Sequence, residues 1–457
     1  MSYFGKSIAV LGGGITGLTA AYRLTAQGHR ARVFEAGDRI GGAIRTELSD
    51  GWLVEAGPNS LREESREVET LLHELGLGPE RIESNPAAKN RYLVRNGRPV
   101  PVPMSPGGFL STPLLTAGAK LRIVCELFSR ARTRDGDVSL AEFVRDHFGS
   151  EVLDRVVQPI VGGIWAGDVS MISVQASFPK LLEIERRHGS LLRGMIAGAK
   201  ARKAEGLKSP KTISFRRGLQ TLSWALTARL PDGGVVLNAR VDSLRKDGRW
   251  QVRWQQGATT YCESFDAVIA PLPAGSLARM EIGAPGEHPL ACLSEIGHAA
   301  ISSLFLGFKR EQVAHPLDGF GLLVPETEKR SILGVLFSSS LFAGRAPDGC
   351  VGLTVLAGGA HHPDIAGLPL PALLERVSVD LRDLLGVTGS PIFVRHAYWP
   401  RAIPQYHLGH QRYRDAVAAC EKANPGLHIG GQSVDGVSLS DCISNGYKLA
   451  EQAVLHP

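Results

Sequence analysis

Gly12, Gly14 and Gly17 stand in a G-x-G-x-x-G run, Gly12-Gly13-Gly14-Ile15-Thr16-Gly17, directly after the apolar stretch Ser7-Ile8-Ala9-Val10-Leu11. Residues of these types at this spacing can hold a pyrophosphate. Gly12 permits a tight turn, Gly14 lets phosphates reach the backbone, and Gly17 lets a helix close on the strand behind it. Ile15 and Thr16 would open that helix, whose unpaired N–H groups and partial positive charge favour an anion. Glu35 follows Gly17 by eighteen residues, at the end of a second apolar run, with Ala36 beside it. An acid placed there accepts hydrogen bonds from ribose hydroxyls, which makes the ligand a dinucleotide. Arg39, Gly42, Ala43 and Arg45 come next, in Arg39-Ile40-Gly41-Gly42-Ala43-Ile44-Arg45-Thr46. Both arginines are available to the same phosphates.

A strand, a glycine turn, a helix and a second strand must position these groups. The apolar run 7–11 is the first strand. Leu18, Ala21, Tyr22 and Leu24 recur at helical spacing, and Gly28 ends the helix. The run 235–241 reads as a strand after the turn Asp232-Gly233-Gly234, and 265–273 reads as another. Near the C-terminus 426–429 is an apolar strand running into Gly430-Gly431, and Val437-Ser438-Leu439 opens a last helix. Between these pieces, 90–99 reads as a hairpin about Asn96-Gly97. Residues 107–200 are helix-rich, with amphipathic spacing over 114–130 and 140–148 and Ser139 as an N-cap. Residues 273–405 alternate short strands and turns with one helix, 370–385, and predict a second, mostly antiparallel sheet. No internal repeat is present.

Composition narrows the class. The chain has 457 residues, 43% hydrophobic and 21% charged, which excludes a disordered or fibrous protein. Glycine is in excess, at 53 residues, with no Gly-X-Y period. The excess is partly localised, at 12–17, 41–42, 162–163 and 430–431, where backbone would approach a ligand. The net charge of +6 favours acidic ligands or an anionic membrane surface. Eight lysines and arginines with one acid, Glu205, occupy 186–211. That stretch suits anionic lipid or solvent, and it lacks the aromatic interleaving of a nucleic-acid binder. The six cysteines form no C-x-x-C pair, so no metal site is expected, and scattered thiols suggest a reducing compartment. The N-terminus enters its first strand at once, with no room for a signal peptide.

The segment Arg39-Ile40-Gly41-Gly42-Ala43-Ile44-Arg45-Thr46 resembles the R-x-G-G-R-x-x-[ST] motif of flavoproteins that bury FAD in an extended conformation. Further segments resemble the protoporphyrinogen oxidase family along nearly the whole chain. They are Gly57-Pro58-Asn59-Ser60, Asn90-Arg91-Tyr92-Leu93, the segment 159–168 around Gly162-Gly163, 319–325, 333–339 and Trp399-Pro400-Arg401-Ala402-Ile403-Pro404-Gln405-Tyr406. The resemblance implies an α/β fold: a Rossmann-like FAD-binding domain, an interleaved and mostly antiparallel substrate domain, and an α-helical membrane-associating domain. The expected boundaries are 1–86, 226–272 and 408–457 for the first, 87–99, 204–225 and 273–407 for the second, and 100–203 for the third.

It further implies a non-covalent FAD. Gly57, Pro58, Asn59 and Ser60 would pass the flavin. Val241 would meet the adenine, and Trp399, Gln432, Val437, Ser438 and Leu439 would complete the site. Arg91 would bind a propionate of a tetrapyrrole. Gly163 would lie in a pocket loop along the macrocycle, and Leu323, Leu336 and Leu356 would sandwich its pyrrole rings. The implied reaction is oxidation of protoporphyrinogen IX to protoporphyrin IX with O2 as acceptor and release of H2O2. Three two-electron steps would occur without a dedicated general base, and His410 is expected to be structural. Coproporphyrinogen III is the alternative substrate. A non-catalytic binder on a fold like that of the prenyl-GTPase dissociation inhibitors is the alternative of another class. The expected setting is cytoplasmic, peripheral on the cytoplasmic face of a bacterial inner membrane, with homodimerisation admitted.

Overall fold

The computed structural model describes residues 5–132, 134, 136–204 and 209–455. Ser7–Leu11 lies in the middle of a five-stranded parallel sheet, in the order Val235–Val236, Arg30–Phe34, Ser7–Leu11, Ala267–Ala270, Leu427–Ile429. A strand covered on both faces reads as an unbroken apolar run, as this one does. Ile8 and Val10 pack on helices Ile15–Ala26 and Leu439–Leu455. Ala9 and Leu11 face the opposite way, into a core holding Phe34, Trp250, Trp254 and Phe265.

The two strands expected over 235–241 and 265–273 are each broken. Val235–Val236 pairs with Arg30–Phe34, whereas Arg240–Asp247 belongs to a separate antiparallel sheet with Arg249–Gln256 and Thr259–Phe265. The chain changes sheets at Asn238, whose φ of 55° turns it out of strand geometry. In the same way Thr259–Phe265 ends before Ala267–Ala270 begins, and Pro271 follows the second strand.

A seven-stranded sheet forms the other half of the molecule. Its order is Phe393–Pro404, His298–Lys309, Cys350–Gly358, Ile332–Leu336, Gly319–Leu323, Asn90–Arg95, Arg98–Pro101. The hairpin turns at Asn96 and Gly97, both at positive φ (51° and 71°), with Arg95 opposite Arg98. All pairings are antiparallel except Gly319–Leu323 with Asn90–Arg95. One face is sealed by helix Leu370–Leu385: Leu373, Val377 and Leu381 pack on Leu304, Leu322, Val335 and Val355. The opposite face carries Leu323, Leu336 and Leu356 and is partly covered, with Phe305 under Trp52 and Leu93 and Leu323 against the helical stretch.

Of residues 204–225, expected with that sheet, the described segment 211–225 packs elsewhere. Strand Lys211–Phe215 pairs with Leu61–Glu63 and Arg81–Glu83, and Leu222 and Leu226 of helix Gln220–Thr227 join Leu18 and Ile44 in the core beside the glycine turn. Glu205 and Lys208 lie outside the described residues.

The helical stretch is a unit of its own, with helices Ala117–Glu126, Leu140–Phe148, Gln158–Trp165, Pro179–His188 and Leu191–Ala204. Ser139 caps Leu140–Phe148 by accepting from the Glu142 N–H. A buried polar cluster ties four of these helices together. Glu126 accepts from the Leu191 and Leu192 N–H groups and from Ser190 Oγ, so it covers the start of helix Leu191–Ala204. His147 bridges Glu126 (2.9 Å) and Glu185 (3.1 Å), and Arg134 donates twice to Glu185.

Candidate functional site

The glycine turn is built as its spacing predicts. Gly12 has a φ of 98°, and its N–H donates to Phe34. A Cβ on Gly17 would overlap the Gly12 carbonyl oxygen, so only glycine lets the helix sit this close to the strand. Around Gly14, by contrast, no atom lies within 4 Å of where a Cβ would stand. That free space opens onto a cavity of about 580 Å³, lined by Gly12, Gly14, Ile15, Thr16, Gly42 and Ala43 at this end. Helix Ile15–Ala26 enters the cavity with no side-chain cap and no acid in its first turn. Its N–H groups therefore face the cavity uncompensated, which suits a pyrophosphate.

Farther along, Glu35, Ala36 and Val241 line the cavity, and at the other end Trp399, Gln432 and Leu439 do. Glu35 has a structural task as well: Oε2 accepts from the Gly13 N–H and Oε1 from the Gly37 N–H, each at 2.7 Å. A carboxylate oxygen has two lone pairs, so a ribose hydroxyl can still be received.

Arg39 and Arg45 have different surroundings. Arg39 turns back on its own loop and donates to the carbonyls of Ile40, Gly42 and Ile44. Burial, with the neighbouring Arg45 charge, lowers its guanidinium below the usual arginine range. It therefore fixes the Gly41-Gly42 turn. The Arg45 side chain is exposed and takes no partner among the described residues. Neither arginine lines the cavity. Arg401 does, and the family segment containing it gave it no role.

Gly57 stands against the Ala43 carbonyl oxygen, which a Cβ would overlap. Asn59 donates to the Gly57 carbonyl, and Trp399 Nε1 donates to the Ala56 carbonyl at 2.9 Å. Asn59 and Ser60 border a second, smaller cavity of about 40 Å³ that reaches Leu336 and Thr354 on the large sheet. Glu55 and Arg345 also line it, a pair that no motif in the chain marks. They are far apart in the chain and meet only in the fold. Glu55 accepts from Thr46 Oγ1 and from the Leu219 N–H, and burial pushes its carboxyl up to about 7. Arg345 is buried; Nη2 donates to Ser214, and Nη1 has no partner among the described residues.

Four of the expected substrate residues share one face of the seven-stranded sheet. Leu323 is opposite Gly334, and Gly334 is opposite Leu356. Gly321 is opposite Leu336 and, on its other side, Arg91. Directly paired residues point the same way, so Arg91, Leu323, Leu336 and Leu356 all face away from helix Leu370–Leu385. Each leucine is half-buried, and Arg91 is exposed with its guanidinium carbon 5.5 Å from the Phe320 ring.

Gly163 closes the arrangement from the helical unit. The loop expected here is a helix, Gln158–Trp165. Gly163 belongs in it because Leu323 occupies the space of its missing side chain: a Cβ would overlap Leu323 Cδ2.

The C-terminal turn 431–437 differs from expectation in one respect. Val437 and Ser438 are not among the cavity-lining residues, while Gly431, Gln432, Ser433, Leu439 and Cys442 are. Ser438 and Asp441 cap helix Leu439–Leu455 reciprocally, so its N-terminus already carries a carboxylate. Cys442 is buried, with its thiol pushed up to about 12. His410 is structural: Nε2 meets the Ser433 carbonyl at 3.0 Å, and burial pulls the ring down to about 4. Among the described residues no cluster could hold a metal ion.

Comparison with known proteins agrees with this geometry. The family model described as flavin containing amine oxidoreductase matches residues 15–454. Protoporphyrinogen oxidase 2, chloroplastic/mitochondrial, of Arabidopsis thaliana is 34% identical over 98% of this chain and 94% of its own length. Coproporphyrinogen III oxidase of Bacillus subtilis (strain 168) is 28% identical over 99% and 98%. A solved structure from Exiguobacterium sp. 255-15, provisionally assigned as a protoporphyrinogen oxidase, superposes with a TM-score of 0.81 at 26% identity, covering 100% of this chain and 99% of that one.

Proposed function

Because the chain belongs to the flavin-containing amine oxidoreductase family, we propose that this FAD-dependent oxidoreductase oxidises a porphyrinogen to a porphyrin. Protoporphyrinogen IX is the first choice of substrate and coproporphyrinogen III the second. The observation that carries the reading is the shared face: Arg91 at one edge, then Leu336, Leu323 and Leu356, with Gly163 opposite Leu323. A reduced tetrapyrrole is a large apolar ligand with carboxylates at its edge. An apolar slot with an arginine at its rim matches that chemistry.

FAD, held by the glycine turn and Glu35, would supply the two-electron acceptor when bound. The chain's own residues bind, orient and exclude water. The free N–H groups at Ile15, Thr16 and Gly17 receive the pyrophosphate, and Glu35 the ribose. Arg91 fixes one end of the substrate through a propionate. The leucines hold the ring system, and Gly163 lets helix Gln158–Trp165 close against Leu323. His410 is sealed behind Tyr406 and serves as no base.

The reading also places the protein at an anionic membrane. Met104, Leu110, Leu121 and Phe128 are 79%, 70%, 64% and 81% exposed, and Lys120, Arg122 and Arg130 lie among them in sequence. No helix among the described residues is long and apolar enough to cross a membrane, so the contact would be peripheral, at the cytoplasmic face of a bacterial inner membrane.

The deciding experiment follows the growth of porphyrin fluorescence in air with each porphyrinogen in turn. Faster turnover of protoporphyrinogen IX supports the first choice. Faster turnover of coproporphyrinogen III moves the assignment to the second, and turnover of neither removes the reading.

A further inference from the structure

Tyr406 is 1% exposed, yet its phenol reaches the backbone of the C-terminal turn at two points. It donates to the Gln432 carbonyl at 2.5 Å and accepts from the Gly436 N–H at 2.8 Å. One hydroxyl therefore spans the segment from Gln432 to Gly436, just before helix Leu439–Leu455 begins. Gln432 lines the large cavity, and its side chain donates to the Val437 carbonyl. Gly436 has a φ of 115°, a conformation that side-chain-bearing residues rarely adopt. Within the turn the Val434 and Asp435 N–H groups donate to the Gly431 carbonyl and the Gly431 N–H donates to the Asp435 carboxylate, while the Gly436 N–H is taken by Tyr406 from outside.

The phenol is itself held. His410 stacks on it with ring centroids 4.1 Å apart and bonds the Ser433 carbonyl, the next residue of the same turn. Trp165 packs edge-on at 5.2 Å, and the neighbouring Gln405 donates to the Trp165 carbonyl. Trp165 ends the helix that carries Gly163. Tyr406 thus sits between the helix of the proposed substrate slot and the turn at the cofactor cavity.

We propose that Tyr406 is a positioning residue for the flavin: its phenol fixes the 432–436 turn, and that turn sets how tightly FAD is held and how readily it is reduced. This rests on the reading that the large cavity takes FAD. Removing the phenol leaves the Gly436 N–H and the Gln432 carbonyl without their partner and frees the turn. A lost hydrogen bond of this kind corresponds to about a tenfold change in an equilibrium constant.

The test uses the FAD-loaded protein. Tyr406→Phe keeps the ring, the stack on His410 and the contact with Trp165. Its rate of FAD release on dilution, read from flavin fluorescence, should rise about tenfold, and the flavin midpoint potential should shift. A merely structural role would lower the unfolding temperature and leave the potential where it was. His410→Phe keeps the stacked ring and removes only the bond to Ser433. It should shift release in the same direction by about threefold, and it carries the test if Tyr406→Phe does not fold. Unchanged release and potential in both variants would overturn the proposal while leaving the flavin reading intact. A wild-type protein that binds no FAD would overturn both.

Discussion

Arg91 and Glu55 show two ways a single charge can matter. Arg91 is exposed, and at the rim of the proposed slot it would only add binding. Arg91→Ala should therefore raise KM by about tenfold and change kcat little, since uniform binding is what a carboxylate anchor supplies. Steady-state kinetics with protoporphyrinogen IX check this, and an unchanged KM would remove Arg91 from the site. Glu55 is buried, and its carboxyl titrates at about 7 against the ordinary 4.5. The folded protein thus holds this proton more tightly than the unfolded chain does. Linkage gives the sign: below about pH 4.5 both states are protonated and nothing is lost, and stability falls as pH rises from there to about 7. The loss should be on the order of 3 kcal/mol. Glu55→Gln should flatten it, so urea midpoints at pH 5 and pH 8 should differ less in the variant than in the wild type. An equal difference in both proteins would refute the assignment. Both residues were present in the sequence, but only Arg91 could be singled out there. Burial gives Glu55 its setting, and the groups that surround it, Leu219 and Arg345 among them, come from distant parts of the chain.

At the scale of elements, legibility followed local periodicity. Helices Leu140–Phe148 and Leu370–Leu385 were readable because their apolar residues recur at helical spacing between clear ends. The helix Gln158–Trp165 was not, because a proline and two glycines argue against one. Tertiary packing reverses that local preference: the absent side chain of Gly163 is what admits Leu323. The strand expected over 235–241 failed for the opposite reason. Its composition is suitable throughout, but Asn238 turns the chain from one sheet to another. The helical unit depends on the Glu126–His147–Glu185 cluster, in which His147 separates two buried carboxylates. His147→Ala should destabilise that unit by about 1–3 kcal/mol, because it removes the bridge between Glu126 and Glu185 and leaves them only their bonds to 190–192 and to Arg134. Hydrogen exchange should show earlier opening of helices 117–126, 140–148 and 191–204 than of the parallel sheet. Uniform exchange in variant and wild type would show that the cluster is not what holds these helices together.

The whole molecule joins a five-stranded parallel sheet, a seven-stranded sheet, smaller sheets and a helical stretch, and both large sheets draw strands from scattered parts of the chain. Its net charge of +6 and the exposed apolar residues of that unit make one prediction. The protein should co-sediment with vesicles containing phosphatidylglycerol and be released as salt rises, and Leu121→Ser with Phe128→Ser should weaken binding severalfold. Binding that is indifferent to both changes would remove the membrane contact. The sequence by itself determined the cofactor turn, since glycines, helix and acid lie within one short segment and act through backbone geometry alone. It also marked the family segments and the strands 7–11 and 427–429, though not the breaks within 235–241 and 265–273. What only the tertiary structure decided is which of those residues meet. Arg39 serves its own loop and not the cavity, Glu55 finds Arg345, and Tyr406 reaches across to the turn at 432–436. Such pairings join segments with no local relation, and the physical terms that fix them, burial and hydrogen-bond satisfaction, exist only once the chain has closed on itself.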